Sequence, residues 1–155
     1  MMKEADRADF ISAMIDEVRS HEDNGHWELT TRSSIPRGIK PIFAIWSFKR
    51  KRFPDGTLNK HKARLCAHGG MQQWGVNYWE TYSPVVNWIS VRMLLSIAIM
   101  NDLPTTAIDF VLAFPQATLG PDELIYMEMP AGMDSPGTDR KQYMLKLRKN
   151  LYGLK

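Results

Sequence analysis

IFAIWSFKRKRFPDGTLNKHKARLCAH, residues 42–68, decides how the chain folds locally and carries its strongest charge. The run IFAIWSFK is rich in β-branched and aromatic residues, which pack well on a pleated surface, and it predicts a strand over 42–49. Pro54, Asp55 and Gly56 signal a turn. After it KHKARLCAH alternates, placing Lys62, Arg64, Cys66 and His68 on one face and Ala63, Leu65 and Ala67 on the other. The two runs predict an antiparallel hairpin. Its connection is longer than a two-residue turn, so the turn alone does not set the register. Between residues 49 and 64 stand seven basic side chains and one acidic.

Outside the hairpin the charge comes in blocks. Residues 1–23 hold seven acidic and three basic side chains, 102–139 seven acidic and no basic, and 140–155 six basic and no acidic. The net charge of +3 over 155 residues therefore conceals strong local fields. A basic run is in general more often a solvated surface than a binding site, so charge alone names no partner.

The length suits one modest domain or a piece of one. One cysteine, Cys66, excludes an internal disulfide framework and fits a reducing compartment. The most apolar stretch, 84–100, is interrupted by Asn87, Ser90, Arg92 and Ser96 and falls short of a bilayer span. No apolar signal core stands at the N-terminus, so a cytosolic or nuclear location is expected, with no membrane partner. Ile11, Met14, Ile15 and Val18 predict an amphipathic helix over 5–20 with that stripe inward. Residues 69–84 read as an irregular connection. ISVRMLLSIAIM, 89–100, is apolar nearly all round and predicts a buried helix, followed by a strand in TTAIDFVLAF. Residues 123–129 and 142–147 are further strand candidates. Strand pairs and helices interleave without a regular strand–helix repeat, which favours an α+β class.

The common site signatures are absent: no phosphate-binding P-loop, no dinucleotide glycine fingerprint, no HExxH and no nucleophile elbow. Cys66 and His68 share a strand face, but without a second thiolate pair a zinc site is set aside. Asp109 lies among apolar neighbours in AIDFVLAF, where an unpaired buried carboxylate would be costly. It reads equally as a hydrogen-bonded structural aspartate or as a ligand for Mg2+, which favours oxygen donors.

The ordered strings W-S-F-K-R-K, D-G, K-A-R-L-C-A-H-G, W-E-T-Y-S-P-V-V, S-V-R-M-L-L, I-D-F-V-L-A-F, I-Y-M-E-M-P-A-G-M and L-Y-G-L-K resemble the reverse transcriptase of copia-type LTR retrotransposons. Each string is weak alone, whereas eight in family order over nearly the whole chain are specific. Their wording is most similar to elements of diatoms and similar algae. The resemblance implies part of a right-hand polymerase fold within a longer Pol polyprotein: a lead-in over 1–30, a fingers hairpin over 40–70 and the start of a palm over 85–155. It implies an incomplete antiparallel sheet with packed helices, an exposed edge and an apolar surface. Its implied partners are an RNA or DNA template–primer and a deoxynucleoside triphosphate, in a cytoplasmic virus-like particle or the nucleus.

By the same resemblance, Asp109 matches the first palm aspartate, catalytic and a ligand of two Mg2+ ions, with the main-chain carbonyl of Phe110 beside it. Phe114 matches the aromatic gate under the sugar, against the alternative of an ordinary core aromatic. Lys62 and Arg64 match side chains that hold the triphosphate. Tyr152 and Gly153, with Lys155, match a segment near the templating base and nucleotide. Lys49, Arg50, Lys51 and Arg52 are expected at the template backbone or in solvent, with no base reading. Pro115 departs from the family pattern. The chain ends at Lys155 without the Y-x-D-D turn that supplies the other metal-binding aspartates, so an isolated chain without activity is expected. The rival expectations are a non-catalytic nucleic-acid-binding remnant and a truncated gene or pseudogene product.

Overall fold

Residues 6–81, 84–109, 113–133 and 139–155 are described by the structure, a computed structural model of the chain. The hairpin forms as the alternation predicts: β2 (Ala44–Arg52) pairs antiparallel with β3 (Leu58–Ala67), in a register that aligns Ser47 with Arg64 and Lys49 with Lys62. The register shifts between Lys51 and Arg52, next to a turn in which the Asp55 carboxylate accepts from the Thr57 N–H at 2.9 Å and the Thr57 hydroxyl at 2.6 Å. Ala63, Leu65 and Ala67 are buried, as expected.

Behind β3 lies α1 (Arg7–Asp23). Its most buried residues are Phe10 and His21, with Glu17 half-buried between them; of the expected stripe Met14 and Val18 are half-buried too, while Ile11 and Ile15 are exposed. Polar contacts rotate the helix. Glu17 Oε1 accepts from the Leu65 N–H at 3.2 Å, closing a free edge bond of β3, and lies 3.4 Å from His21 Nε2. Phe10 meets Phe48 and His61 edge-on, with ring centroids 5.2 and 4.6 Å apart.

A second sheet has the order β1–β5–β4, from β1 (Trp27–Thr31), β4 (Tyr126–Glu128) and β5 (Tyr143–Leu147), with both pairings antiparallel. The sequence pattern indicated β4 and β5 and missed β1, whose WELTT alternates too briefly to stand out. Ile42 joins the sheets: its N–H donates to the Tyr126 carbonyl at 2.8 Å, and its carbonyl accepts from the Glu128 N–H at 2.9 Å. The core gathers at this seam, from Ile42, Leu65 and Ala67 of the hairpin side and Ile125, Met127, Met129, Leu145, Leu147 and Leu151.

Two expectations are corrected downstream. The helix of 89–100 forms as α2 (Trp88–Met100), capped by Asn87, whose side chain accepts from the Ile89 N–H at 2.9 Å. It is not buried: of its residues only Ala98 is, while Ile99 and Met100 are 77% and 81% exposed. Uniform apolarity identified a helix made for burial, but the described residues do not provide the layer that covers it. The strand expected in 105–114 is also absent among the described residues. Residues 105–109 have no ladder partner, and Ala113–Gln116 forms a short helix, α3. The described residues thus form a small α+β unit with antiparallel sheets and three α-helices.

Candidate functional site

Strand alternation sorts the basic block of the hairpin onto two faces. Ser47, Lys49 and Lys51 of β2 face the same side as Lys62 and Arg64 of β3, and together they line a cleft of about 300 Å3. Among the described residues no acidic side chain lines it. Lys49 sits directly across from Lys62, an arrangement that destabilises a strand pair unless an anion relieves it. Burial, and then the charges of Arg64 and Lys51, hold the Lys62 amine below the usual lysine range. A site that disfavours its own cations in this way gains most from a bound polyanion.

Of the three other cations of the block, Arg50 and Arg52 are engaged elsewhere. Arg50 points toward α1, where it pairs with Asp6 and lies 5.9 Å from the Phe10 ring centroid. Its hydrogen bond is the main reason the Asp6 carboxyl sits below the usual carboxylate range. Arg52 turns back on the hairpin loop and donates to the Gly56 carbonyl at 2.7 Å. The four consecutive cations are therefore two in the cleft, one against the helix and one in the turn.

The C-terminal segment closes over the end of β3. The Ala67 N–H donates to the Tyr152 carbonyl at 2.7 Å, and the Lys155 N–H to Oε1 of the buried Gln72 at 2.7 Å. Gln72 in turn donates to the Asn77 carbonyl at 3.0 Å, while the Asn77 side chain accepts from the Gln73 N–H at 2.7 Å. These two buried amides build the loop after β3 and were not singled out in the sequence; their signal, polar residues in a Gly- and Trp-rich stretch, is indistinguishable there from ordinary loop composition. Tyr152 comes beside the cleft, with its ring centroid 5.1 Å from the Arg64 guanidinium carbon. Gly153, at φ +90°, lies at the crossing with β3, and Lys155 turns away to Tyr78, its Nζ 3.3 Å from the phenol oxygen and 4.6 Å from the ring centroid. Of the expected nucleotide residues, the fold thus joins Lys62, Arg64 and Tyr152, and adds Lys49, Lys51 and Ser47.

Asp109 stands apart from this description. It is exposed, as are its neighbour Ile108 and Phe114, which is 70% exposed. Because Asp109 is itself exposed, the desolvation argued from its apolar neighbours does not arise; nor is Phe114 a core aromatic. Phe110, expected to offer its carbonyl, lies outside the described residues. The resemblance implies divalent cations held at Asp109. Among the described residues the one trio of potential ligands is Asp6, Asp9 and His61, without Asp109. In that trio each imidazole nitrogen faces a different carboxylate at 3.5 Å, and Asp6 is already paired with Arg50, so it is charge compensation between α1 and β3. The described donors do not fit a two-ion site around Asp109. No helix among the described residues is long and apolar enough to cross a membrane.

Comparison with known proteins gives these features a context. The family described as "Reverse transcriptase (RNA-dependent DNA polymerase)" matches residues 24–155. The retrovirus-related Pol polyprotein from transposon TNT 1-94 of Nicotiana tabacum is 36% identical over the whole chain, which spans 11% of that protein. Those from transposons RE1 and RE2 of Arabidopsis thaliana are 39% and 38% identical over 93% and 92% of the chain, which spans 9% of each. The chain therefore spans about a tenth of the length of these relatives. No solved structure matches it. From the family match over 24–155 and the retrotransposon relatives along its length, the chain belongs to the reverse transcriptase family, in the copia-type group that its motif order resembles.

Proposed function

We propose that this chain is the nucleotide-holding part of an RNA-directed DNA polymerase whose intact form adds deoxynucleotides to a primer on an RNA or DNA template, as part of a longer Pol polyprotein. In this reading 40–70 is the fingers hairpin, 1–30 its lead-in and 85–155 the start of the palm of a right-hand fold. The protein acts in the cytoplasm, inside a virus-like particle, or in the nucleus, and belongs with elements akin to those of diatoms. The observation that carries the reading is the acid-free cleft of Ser47, Lys49, Lys51, Lys62 and Arg64. Its four cations form charge-assisted bonds to the phosphates of an incoming nucleotide, the arginine in a fork and the lysines as point charges.

Asp109 is the catalytic carboxylate in this proposal and one ligand of the divalent cations, with the Phe110 carbonyl beside it. Phe114 and Gly153 lie along the nucleotide and Lys155 faces the template side, whereas Arg50 and Arg52, expected at the template, are engaged by Asp6 and by the hairpin loop. Because the described donors gather no second carboxylate trio with Asp109, the chain by itself is expected not to extend a primer. A primer-extension assay with Mg2+ and purified chain tests this, and clear incorporation of nucleotide would contradict it. The same observation favours a second reading, a remnant that binds nucleic acid without catalysis. Binding to RNA or a hybrid duplex that weakens steeply with salt, with no preference for a nucleoside triphosphate over the duplex backbone, would support that alternative.

A further inference from the structure

The ring of Tyr152 lies against Arg64, 5.1 Å from centroid to guanidinium carbon, and its place is set by the backbone on both sides. The Tyr152 carbonyl accepts from the Ala67 N–H at 2.7 Å. Gly153 follows so tightly that a Cβ there would fall 2.3 Å from the Ala67 carbonyl oxygen. The Lys155 N–H is held by the buried Gln72 at 2.7 Å. β3 and the loop after it therefore place the ring, and the ring in turn places the long, exposed arginine side chain.

Among the described residues no carboxylate pairs with Arg64. A carboxylate would fix the guanidinium by occupying the N–H groups that a phosphate needs. An aromatic face fixes it from the flat side and leaves every N–H free. We propose that Tyr152 is a positioning residue for the phosphate site: its ring, rather than its hydroxyl, holds the Arg64 guanidinium at the cleft with the donors turned toward the anion. Tyr152 then acts through Arg64 rather than by touching the nucleotide, a role that rests on the phosphate reading of the cleft.

The test is calorimetric titration of the 155-residue chain with inorganic triphosphate over a range of salt concentrations. Tyr152→Phe is expected to bind like the unmodified chain. Tyr152→Leu is expected to bind roughly three- to tenfold more weakly, the size of a cation–π contact, with an unchanged salt dependence because no charge is removed. In an Arg64→Ala background Tyr152→Leu is expected to have no further effect, whereas a role in merely holding the tail would add to the loss. Unchanged affinity in Tyr152→Leu, or an equal loss in both backgrounds, would overturn the proposal. A readout free of destabilising variants is the Arg64 Nε–H proton resonance, shielded by the ring in the unmodified chain and in Tyr152→Phe; an unshielded position would also overturn it. Failure of the unmodified chain to bind triphosphate, or binding indifferent to Lys62→Ala and Arg64→Ala, would instead overturn the phosphate reading of the cleft, and this role with it.

Discussion

Gly69 and Gly153 meet where the C-terminal segment crosses the end of β3, and the crossing has no room for a side chain. A Cβ on Gly69 would fall 2.0 Å from the Gly153 carbonyl oxygen, which is backbone and cannot swing aside. Gly69→Ala is therefore expected to lower stability by roughly 1–3 kcal/mol in urea denaturation, as overpacking does. Gly38→Ala is the control: its φ of +92° is strained for alanine, but a Cβ there meets nothing within 4 Å, and it is expected to cost about 1 kcal/mol. Equal effects would mean that the crossing is not close-packed. A second residue-scale test concerns His26, buried against His21 with ring centroids 4.7 Å apart. Burial, and then the neighbouring His21, lower its pKa from 6.5 to about 4. The unfolded chain thus binds a proton that the folded chain refuses in that interval, so stability falls as pH drops from 6.5 toward 4, with a slope of up to about 1.4 kcal/mol per pH unit for one such proton. His26→Gln, less stable at neutral pH, is expected to show a shallower loss over that interval. Urea midpoints measured at pH 7 and pH 4.5 check it, and parallel losses in both proteins would contradict the assignment.

At the scale of elements, the hairpin divides its charges by parity, and the division makes a prediction. Lys49→Ala and Lys51→Ala are each expected to weaken polyanion binding and to flatten its salt dependence, which falls with each cation–phosphate contact removed. Arg50→Ala is expected to leave that binding nearly unchanged and to loosen α1 instead, because Arg50 pairs with Asp6. Filter binding to a labelled duplex at several salt concentrations distinguishes them. This parity was legible in the sequence, since the alternation that put Lys62 and Arg64 together applies equally to Lys49 and Lys51. Reading 49–52 as one basic run hid it. The hairpin, α1, β4 and β5 were legible because period and turn chemistry are local. The burial of α2 was not, because uniform apolarity states what a helix needs and not what the rest of the chain supplies. Likewise β1 owes its place to the register of Trp27 with Leu147 and Thr31 with Tyr143, more than a hundred residues away. The inward stripe of α1 was legible at Met14 and Val18 but not at Ile11 and Ile15, because Glu17 and His21, polar in any hydrophobicity pattern, are held inside by the Leu65 N–H and by each other.

For the whole molecule, the core and the exposed apolar surface lie on different parts of the chain. Ile42, at the seam of the two sheets, is fully buried, and Ile42→Ala is expected to destabilise by about 2–5 kcal/mol. Ile99, 77% exposed on α2, is expected to accept lysine within about 0.5 kcal/mol while lowering self-association, as read by light scattering. A large loss of stability in Ile99→Lys would show that α2 is covered by the chain itself. The net charge of +3 is likewise a poor summary of a molecule that gathers four cations in one cleft and whose C-terminal basic block lies along β5 and the segment that crosses β3. That cleft, with Tyr152 at its side, is the part of the site that the chain assembles by itself; Asp109 was legible only as a motif, and its exposed position adds no geometry to it.

The most direct test of the account is titration of a deoxynucleoside triphosphate, and in parallel the matching deoxynucleoside, into the chain and its Lys62→Ala and Arg50→Ala variants. The account predicts that the triphosphate binds with an affinity that falls as salt rises, that the nucleoside does not bind measurably, and that Lys62→Ala abolishes most of the binding while Arg50→Ala keeps it. Equal binding of nucleoside and triphosphate, or equal losses in the two variants, would contradict it.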